Sequence, residues 1–502
     1  MDKKLLLQLK SGTDVRGIAV ESKNSPITLT DEAIYLIVRA FVKWLSAKSG
    51  KRAKKIAVGN DVRISGERVK AQVVKGATES GCDVIDAGLC STPSMFMMLK
   101  EGNFDLDASI MITASHLPYD RNGLKFFTKN GGLEGKDITE ILNIAYEGDF
   151  LDGNGTVSHH TYIDEYCNGL VAKVRNATGC EKPLFNKKII VDAGNGAGGF
   201  FVEKVLAPLG ADTTGSQFLE PDGLFPNHIP NPEDKTAMNA ICQAVKTHGA
   251  DLGIIFDTDV DRAGAVDMNG EEINRNKLIA LCSAILLGDK KGTIVTDSVT
   301  SDGLAEFIEK LGGKHVRFKR GYKNVIDKAI ELNNAGEYAP LAMETSGHAA
   351  FMENYFLDDG AYLITKILIC LAEQELKGKT LTDLIADLAC PVEADEVRLS
   401  FSDKSVDFKT EGASVIADIT KMASASENMI LAKDNFEGVR VNFGEGDGDG
   451  WFLVRMSVHD PIMPINFESN VVGGNKIIAR KLYGILKGYA FLNTEKLKNF
   501  IE

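Results

Sequence analysis

Asp257, Asp259 and Asp261 stand at alternate positions in Asp257-Thr258-Asp259-Val260-Asp261-Arg262, directly after the apolar run Leu252 to Phe256. Three carboxylates so spaced at a strand end suit a hard divalent cation, which takes oxygen ligands. As a bare acidic turn, the run would crowd three like charges with no cation to offset them. An EF-hand loop needs glycine where Arg262 stands and glutamate where Met268 stands, so a calcium loop of that kind is excluded. Phosphatases of the haloacid dehalogenase type also open on strand-D-x-D, but they carry Thr or Val where this chain has Asp261. The second chemical locus is Thr113-Ala114-Ser115-His116-Leu117-Pro118, followed by Asn122-Gly123-Leu124-Lys125. A serine on a loop between a strand and a Pro/Gly turn is placed for attack, with His116 and Lys125 near enough to manage protons and charge. A Ser-His pair by itself is more often a cap or turn, and the G-x-S-x-G of a hydrolase elbow is missing.

Three further loops carry polar groups after apolar runs. Gly194-Asn195-Gly196-Ala197-Gly198-Gly199 fits G-x-G-x-x-G with Asp212 downstream, but a tight turn and close helix–strand packing explain the glycines without a dinucleotide. Glu344-Thr345-Ser346-Gly347-His348 offers a carboxylate, hydroxyls and an imidazole suited to sugar hydroxyls. Arg455-Met456-Ser457-Val458-His459 offers a guanidinium and a hydroxyl suited to a phosphate.

These loops must be carried by a regular scaffold. Ala33, Ile34, Ile37, Ala40, Phe41, Trp44 and Leu45 recur at helical spacing behind Thr30-Asp31. Ile56 to Val58, Val84-Ile85 and Ala108 to Ile112 read as strands, and Val69 to Ala77 as a helix. The alternation restarts at Lys188 to Asp192 and Leu252 to Phe256, then at Thr293 to Thr296 and Leu341 to Met343. Such alternation predicts βαβ units and mainly parallel sheets, whose ligands bind beyond the carboxyl ends of the strands. Val397 to Phe401, Val439 to Phe443 and Trp451 to Val454 predict strands of a smaller α+β unit.

A chain of 502 residues is too long for one ordinary core. Its net charge of −13 argues against nucleic acid, which is gripped by a surplus of Lys and Arg, yet leaves room for a local basic pocket. The run Leu5-Leu6-Leu7, broken by Gln8 and Lys10, is too short for a signal core or membrane span. The eight cysteines show no C-x-x-C pair, so a cytoplasmic protein with reduced, mostly buried thiols is expected.

Taken together the loops resemble those of the α-D-phosphohexomutases, the phosphomannomutase/phosphoglucomutase family. Thr113 to Pro118 with Asn122 to Lys125 resembles the family's phosphoserine loop, Asp257 to Arg262 its metal loop, and Glu344 to His348 its sugar loop. Gly12 to Gly17 is similar to the family's opening, and Phe225 to Glu233 to the stretch before its metal loop. The resemblance implies a four-domain phosphohexomutase architecture: three related α/β domains with mainly parallel mixed sheets, at 1–170, 171–288 and 289–392, and a C-terminal α+β domain at 393–502. It implies one Mg²⁺ per chain held by Asp257, Asp259, Asp261 and a phosphate oxygen on Ser115, with hexose 1,6-bisphosphate as activator. Phosphate would move between the 1- and 6-positions of mannose or glucose phosphate through phospho-Ser115, with His116, Lys125, Arg16 and Arg262 moving protons or stabilising charge. Lys319, Glu344, Ser346, His348, Arg455, Ser457 and His459 would hold the phosphosugar. A monomer or homodimer is expected, without nucleic acid or membrane. A phosphoglucosamine mutase, a hexose-bisphosphate synthase or phosphatase, and a non-catalytic sugar-phosphate-binding regulator are the alternatives. Leu117 stands where the family usually has Asn, and Arg455 to Pro461 reads RMSVHDP where it usually reads R-x-S-G-T-x-P.

Overall fold

The computed structural model describes residues 2–21, 25–402, 407–457 and 461–502. They form two compact units, residues 1–278 with 346–383, and residues 279–345 with 384–502. Among the described residues no helix is long and apolar enough to cross a membrane.

In the first unit, the larger sheet runs in the order Lys10–Ser11, Asp14–Ile18, Arg121–Thr128, Ala108–Ile112, Lys55–Asn60, Asp83–Leu89, Val157–His159, with Gly131–Gly132 paired to Arg121–Thr128. Lys55–Asn60 lies parallel to both Asp83–Leu89 and Ala108–Ile112, while Arg121–Thr128 returns antiparallel to Ala108–Ile112. The helix expected behind Thr30 runs Asp31–Ser49; the Thr30 hydroxyl caps the Ala33 N–H, and Gly50 ends it at φ 68°. A hydroxyl cap and a left-handed glycine satisfy backbone groups that the helix ends leave open. Its apolar face packs on the sheet, with the Phe41 and Phe126 rings 4.6 Å apart.

The smaller sheet of this unit is ordered Glu272–Ile273, Ala263–Asp267, Leu252–Phe256, Ile189–Asp192. Its last two strands are parallel, so both end at the same edge. The turn after Ile189–Asp192 enters a short 3-10 turn, Ala197–Gly199, and one π-helical turn, Val202–Leu206. A Cβ on Gly196 would meet the Thr258 backbone at 2.9 Å, and one on Gly198 the Phe256 ring at 2.9 Å. The glycines therefore serve close packing against the aspartate loop, in keeping with the reading that needs no dinucleotide. Helix Lys235–His248 covers one face of this sheet.

The second unit holds three parallel strands ordered Lys314–Arg317, Thr293–Thr296, Leu341–Met343. Its other sheet is antiparallel: Ile430–Leu431, Val439–Phe443, Gly450–Val454, Ile462–Ser469, Glu393–Phe401, Leu492–Asn493. Helices Phe408–Ser424 and Gly474–Leu486 bury their apolar stripes on it. The sheets that carry the Ser115 and Asp257 loops are thus mixed, with parallel strands flanked by antiparallel returns.

Candidate active site

Ser115 follows strand Ala108–Ile112, and Lys125 lies on the neighbouring strand opposite Met111. Arg16 comes from the next strand, opposite Gly123. A Cβ on Gly123 would stand 2.3 Å from the Val15 carbonyl and 2.9 Å from that of Thr113, so only glycine lets the strands close beneath the serine loop. Ser115 is held at φ 52°, a left-handed conformation that non-glycine residues rarely adopt. Its N–H donates to the Thr113 hydroxyl at 2.9 Å.

Around the Ser115 hydroxyl the packing is close. It donates to Asp257 Oδ2 at 3.1 Å and accepts from Arg262 Nη2 at 3.1 Å, with His116 Nδ1 at 3.3 Å. Arg262 is buried; it also donates through Nε to Asp257 Oδ2 at 3.1 Å, through Nη1 to Asn231 Oδ1 at 3.4 Å, and through Nη2 to the His116 imidazole. Lys125 Nζ lies 3.2 Å from Asp259 Oδ2 and is hydrogen-bonded to Asp261. The Thr92 hydroxyl donates to the Asp259 carboxylate, and its backbone N–H to the Asp259 carbonyl at 2.9 Å. Arg16 pairs with Asp14 at 2.7 Å and reaches the Ala114 carbonyl at 3.4 Å. Ser346 and His348 belong to the same unit: their side chains lie 3.0 Å apart, and His348 Nε2 is 3.7 Å from Asp261 Oδ1.

The electrostatics are those of a buried charge cluster. Burial, then repulsion from Asp261 and Asp259, pushes the Asp257 carboxyl well above the usual carboxylate range. Burial acts the same way on Asp261, but Lys125, and after it His348 and Arg262, hold that carboxyl well below its usual range. Burial also works against the Lys125 charge, yet Asp259 and Asp261 hold the ammonium well above its ordinary value. His116 is pushed down to about 2 by burial and then by Arg262 and Arg16, so it stands as a neutral imidazole.

The donor set fits a divalent cation. Oxygens of Asp257, Asp259 and Asp261 all lie within 4.8 Å of one another, and the three side chains are buried. Among the described residues Asp259 Oδ1 and Asp261 Oδ1 are buried without a hydrogen-bond partner. Bare carboxylate oxygens facing one another are what hard-cation ligands present. Val260, between two of the aspartates, sits at φ 66°. A β-branched residue there costs on the order of 1–3 kcal/mol and persists only where its surroundings enforce it.

The other sugar and phosphate candidates lie in the second unit. Glu344 Oε1 accepts from the Gly321 N–H at 2.7 Å, which ties it to the Lys319-Arg320-Gly321 turn; Lys319 itself is exposed. The Arg320 N–H and the Ser298 hydroxyl both donate to Glu437 Oε2, at 3.0 and 2.5 Å. Arg455 is buried, 4.0 Å from Glu396, and burial followed by repulsion from Arg320 lowers its guanidinium pKa. Its N–H, like that of Ser457, bonds the returning strand, at 3.2 Å to the Pro464 carbonyl and 3.1 Å to that of Ile462. His459 lies outside the described residues. Motifs and spacing do not single out Thr92, Asp61 or Arg63, and Asn231 enters only as part of the stretch Phe225 to Glu233. Asp61-Val62-Arg63, charged residues directly after the strand Lys55–Asn60, is the available signal for Asp61 and Arg63.

The chain matches the phosphoglucomutase/phosphomannomutase alpha/beta/alpha domain I over residues 8–152, domain II over 164–270 and domain III over 274–390. It is 30% identical over 483 residues to a phosphoglucomutase of Neisseria meningitidis, covering 94% of this chain and 95% of that one. It is 30% identical to a phosphomannomutase/phosphoglucomutase of Pseudomonas putida, with 91% and 90% covered. A crystal structure of a phosphoglucomutase/phosphomannomutase family protein from Burkholderia thailandensis superposes with a TM-score of 0.79 at 26% identity, covering 96% of this chain and 97% of that one. Three α/β/α domains, a fourth sheet domain and this relatedness over nearly the whole length lead to one assignment: the chain belongs to the phosphoglucomutase/phosphomannomutase family and is a phosphohexomutase.

Proposed function

We propose that the phosphate carrier of this mutase is Ser115 and that glucose and mannose phosphates are its substrates. The observation that carries this reading is the position of the Ser115 hydroxyl: 3% exposed, on a left-handed residue, between the Asp257 carboxylate and the Arg262 guanidinium. Asp257, Asp259 and Asp261 would hold Mg²⁺, with a phosphate oxygen on Ser115 as a further ligand; the ion supplies charge neutralisation for the phosphoryl oxygens. In the forward half-reaction the P–O bond to Ser115 breaks, and a new P–O bond forms to the free 1- or 6-hydroxyl of the hexose phosphate. That hydroxyl gives up its proton, and the serine oxygen is left to be reprotonated. The resulting hexose 1,6-bisphosphate returns its other phosphate to Ser115, and added bisphosphate serves as activator by the same route.

The chain's own groups divide the remaining work. Arg262 neutralises the transferring phosphoryl group while its Nε stays on Asp257. Lys125, held as an ammonium by Asp259 and Asp261, adds positive charge beside the carboxylates. His116, neutral and with Nδ1 3.3 Å from the serine oxygen, accepts from Arg262 Nη2 and so orients that guanidinium for charge stabilisation beside Ser115. Arg16 and His348 border the cluster, and Lys319, Glu344, Ser346, Arg455, Ser457 and His459 would hold sugar hydroxyls and the distal phosphate. Domain limits at 1–170, 171–288, 289–392 and 393–502 accompany this reading, as does a cytoplasmic location, supported by eight cysteines of which six are buried.

The test is conversion of glucose 1-phosphate and mannose 1-phosphate with Mg²⁺ and a trace of the matching bisphosphate, together with intact-mass analysis of the protein. One covalent phosphate that Ser115→Ala abolishes is expected. Phosphate persisting in that variant would remove Ser115 from the role.

A further inference from the structure

We infer that Arg63, paired with Asp61, is the positioning residue that sets the conformation of the Ser115 loop, an inference that rests on Ser115 being the phosphate carrier. Arg63 is 2% exposed. Its guanidinium donates to four backbone carbonyls of one loop: through Nη2 to Ser115 and to Leu117 at 2.6 Å, and through Nη1 to Pro118 at 2.7 Å and Arg121 at 2.9 Å. The loop therefore wraps around one cation from the nucleophile to the first residue of strand Arg121–Thr128, which carries Lys125. Buried carbonyls turned away from water need donors, and a planar fork with five N–H groups can serve several in one plane where an ammonium cannot.

Asp61 completes the clamp. It lies just past strand Lys55–Asn60, next to Ala108–Ile112, and its own N–H bonds the Ile112 carbonyl at 3.1 Å. Asp61 Oδ2 lies 3.2 Å from Arg63 Nε and accepts from the Thr113 hydroxyl at 2.7 Å; that hydroxyl in turn accepts from the Ser115 N–H at 2.9 Å. Both faces of the Ser115 backbone are thus fixed, the N–H through Thr113 and Asp61, the carbonyl through Arg63. A left-handed serine is retained only where its surroundings over-determine it, and these contacts do so. The Phe225 ring lies against the guanidinium, its centroid 5.4 Å from Arg63 Cζ. Neither residue touches the Ser115 hydroxyl, so the effect on chemistry runs through the loop.

The experiment compares four purified full-length variants with the wild type. Arg63→Lys keeps the charge opposite Asp61 but not the fork, and Asp61→Asn/Arg63→Met removes the buried pair together, so that no lone charge is left if the single change fails to fold. Val73→Ala is a core control in the helix Gly66–Glu79, and Ser115→Ala is the carrier control. Expected for Arg63→Lys, or for the double variant, is a folded protein whose kcat for glucose 1-phosphate falls about 10²-fold, as loop misplacement by an ångström would produce. KM should stay within about threefold, the mark of an interaction expressed in the transition state. Phosphorylation of Ser115 by glucose 1,6-bisphosphate should slow in parallel, while Val73→Ala loses thermal stability and keeps its kcat. A folded Arg63 variant with wild-type kcat, or a Val73→Ala that loses kcat as steeply, would overturn the positioning role. Covalent phosphate retained by Ser115→Ala would instead overturn the carrier reading beneath it.

Discussion

The Ser115 hydroxyl donates to the Asp257 carboxylate at 3.1 Å although the two residues are 142 positions apart. Each sits just beyond the C-terminal end of a strand, Ala108–Ile112 and Leu252–Phe256, in two different sheets of one unit. Ligands of such sheets gather at strand ends, and here two strand ends deliver a hydroxyl and a carboxylate to the same point. Arg262 contacts both, so in the proposed mechanism its guanidinium is the group most directly tied to transfer. Arg262→Lys keeps the charge but loses the simultaneous contacts to Ser115, Asp257 and Asn231. We expect kcat to fall about 10²–10³-fold, the usual cost of removing a pre-oriented donor; steady-state assays with glucose 1-phosphate at saturating Mg²⁺ give the number.

Divalent cation should stabilise the protein through the three aspartates. At a concentration about a hundredfold above its dissociation constant, a ligand specific for the native state adds about 2.7 kcal/mol. Mg²⁺ should therefore raise the melting temperature of wild-type protein and leave that of Asp259→Asn nearly unmoved, while EDTA abolishes mutase activity and Mg²⁺ restores it. Equal shifts in both proteins would show that the ion binds elsewhere.

Glu468 gives the second unit a pH-dependent stability. Burial pushes its carboxyl up to about 7 from an ordinary 4.5; Arg440 opposes the rise and Asp302 adds to it. A folded-state pKa above the unfolded one means that the folded state binds the extra proton between these values. The contribution is therefore fully present below pH 4.5 and is lost as pH rises through 7. Its full extent is about 3 kcal/mol at 1.36 kcal/mol per unit. Glu468→Gln should flatten the fall in melting temperature between pH 5 and about 8. An unchanged slope in that variant would assign the dependence to another group.

Gly123→Ala should damage both stability and turnover. The added methyl would meet the Val15 and Thr113 carbonyls at 2.3 and 2.9 Å, and backbone cannot rotate aside as a side chain can. Overpacking of this kind costs about 1–3 kcal/mol or more. A lowered melting temperature should accompany loss of kcat, because Thr113 anchors the Ser115 N–H; thermal denaturation and kinetics on one preparation would show whether the two move together.

Much of the scaffold was legible in the chain. Ala108–Ile112, Leu252–Phe256, Thr293–Thr296, Leu341–Met343 and Val439–Phe443 fall where the apolar runs place them, because each run ends abruptly in a polar turn. The turn after Ile189–Asp192 was harder: its glycines announce close packing but not the partners, which prove to be the Thr258 backbone for Gly196 and the Phe256 ring for Gly198.

What the residues by themselves determined is the chemistry. Asp257, Asp259 and Asp261 point to a cation through local spacing alone, whereas Ser115-His116 with Lys125 reads as a nucleophile loop only beside the other motifs that resemble the family. Only the tertiary structure decided that Ser115 and Asp257 share a hydrogen bond, that His116 is neutral beneath Arg262, and that Arg63 holds the serine loop. The reason is physical. Arg63 acts on backbone carbonyls 52 to 58 residues away, and a carbonyl is the same in every residue, so no side chain at the receiving end records the contact. Side-chain chemistry leaves its mark in the sequence, whereas a cation bonded to distant main chain becomes visible only when the chain is folded around it.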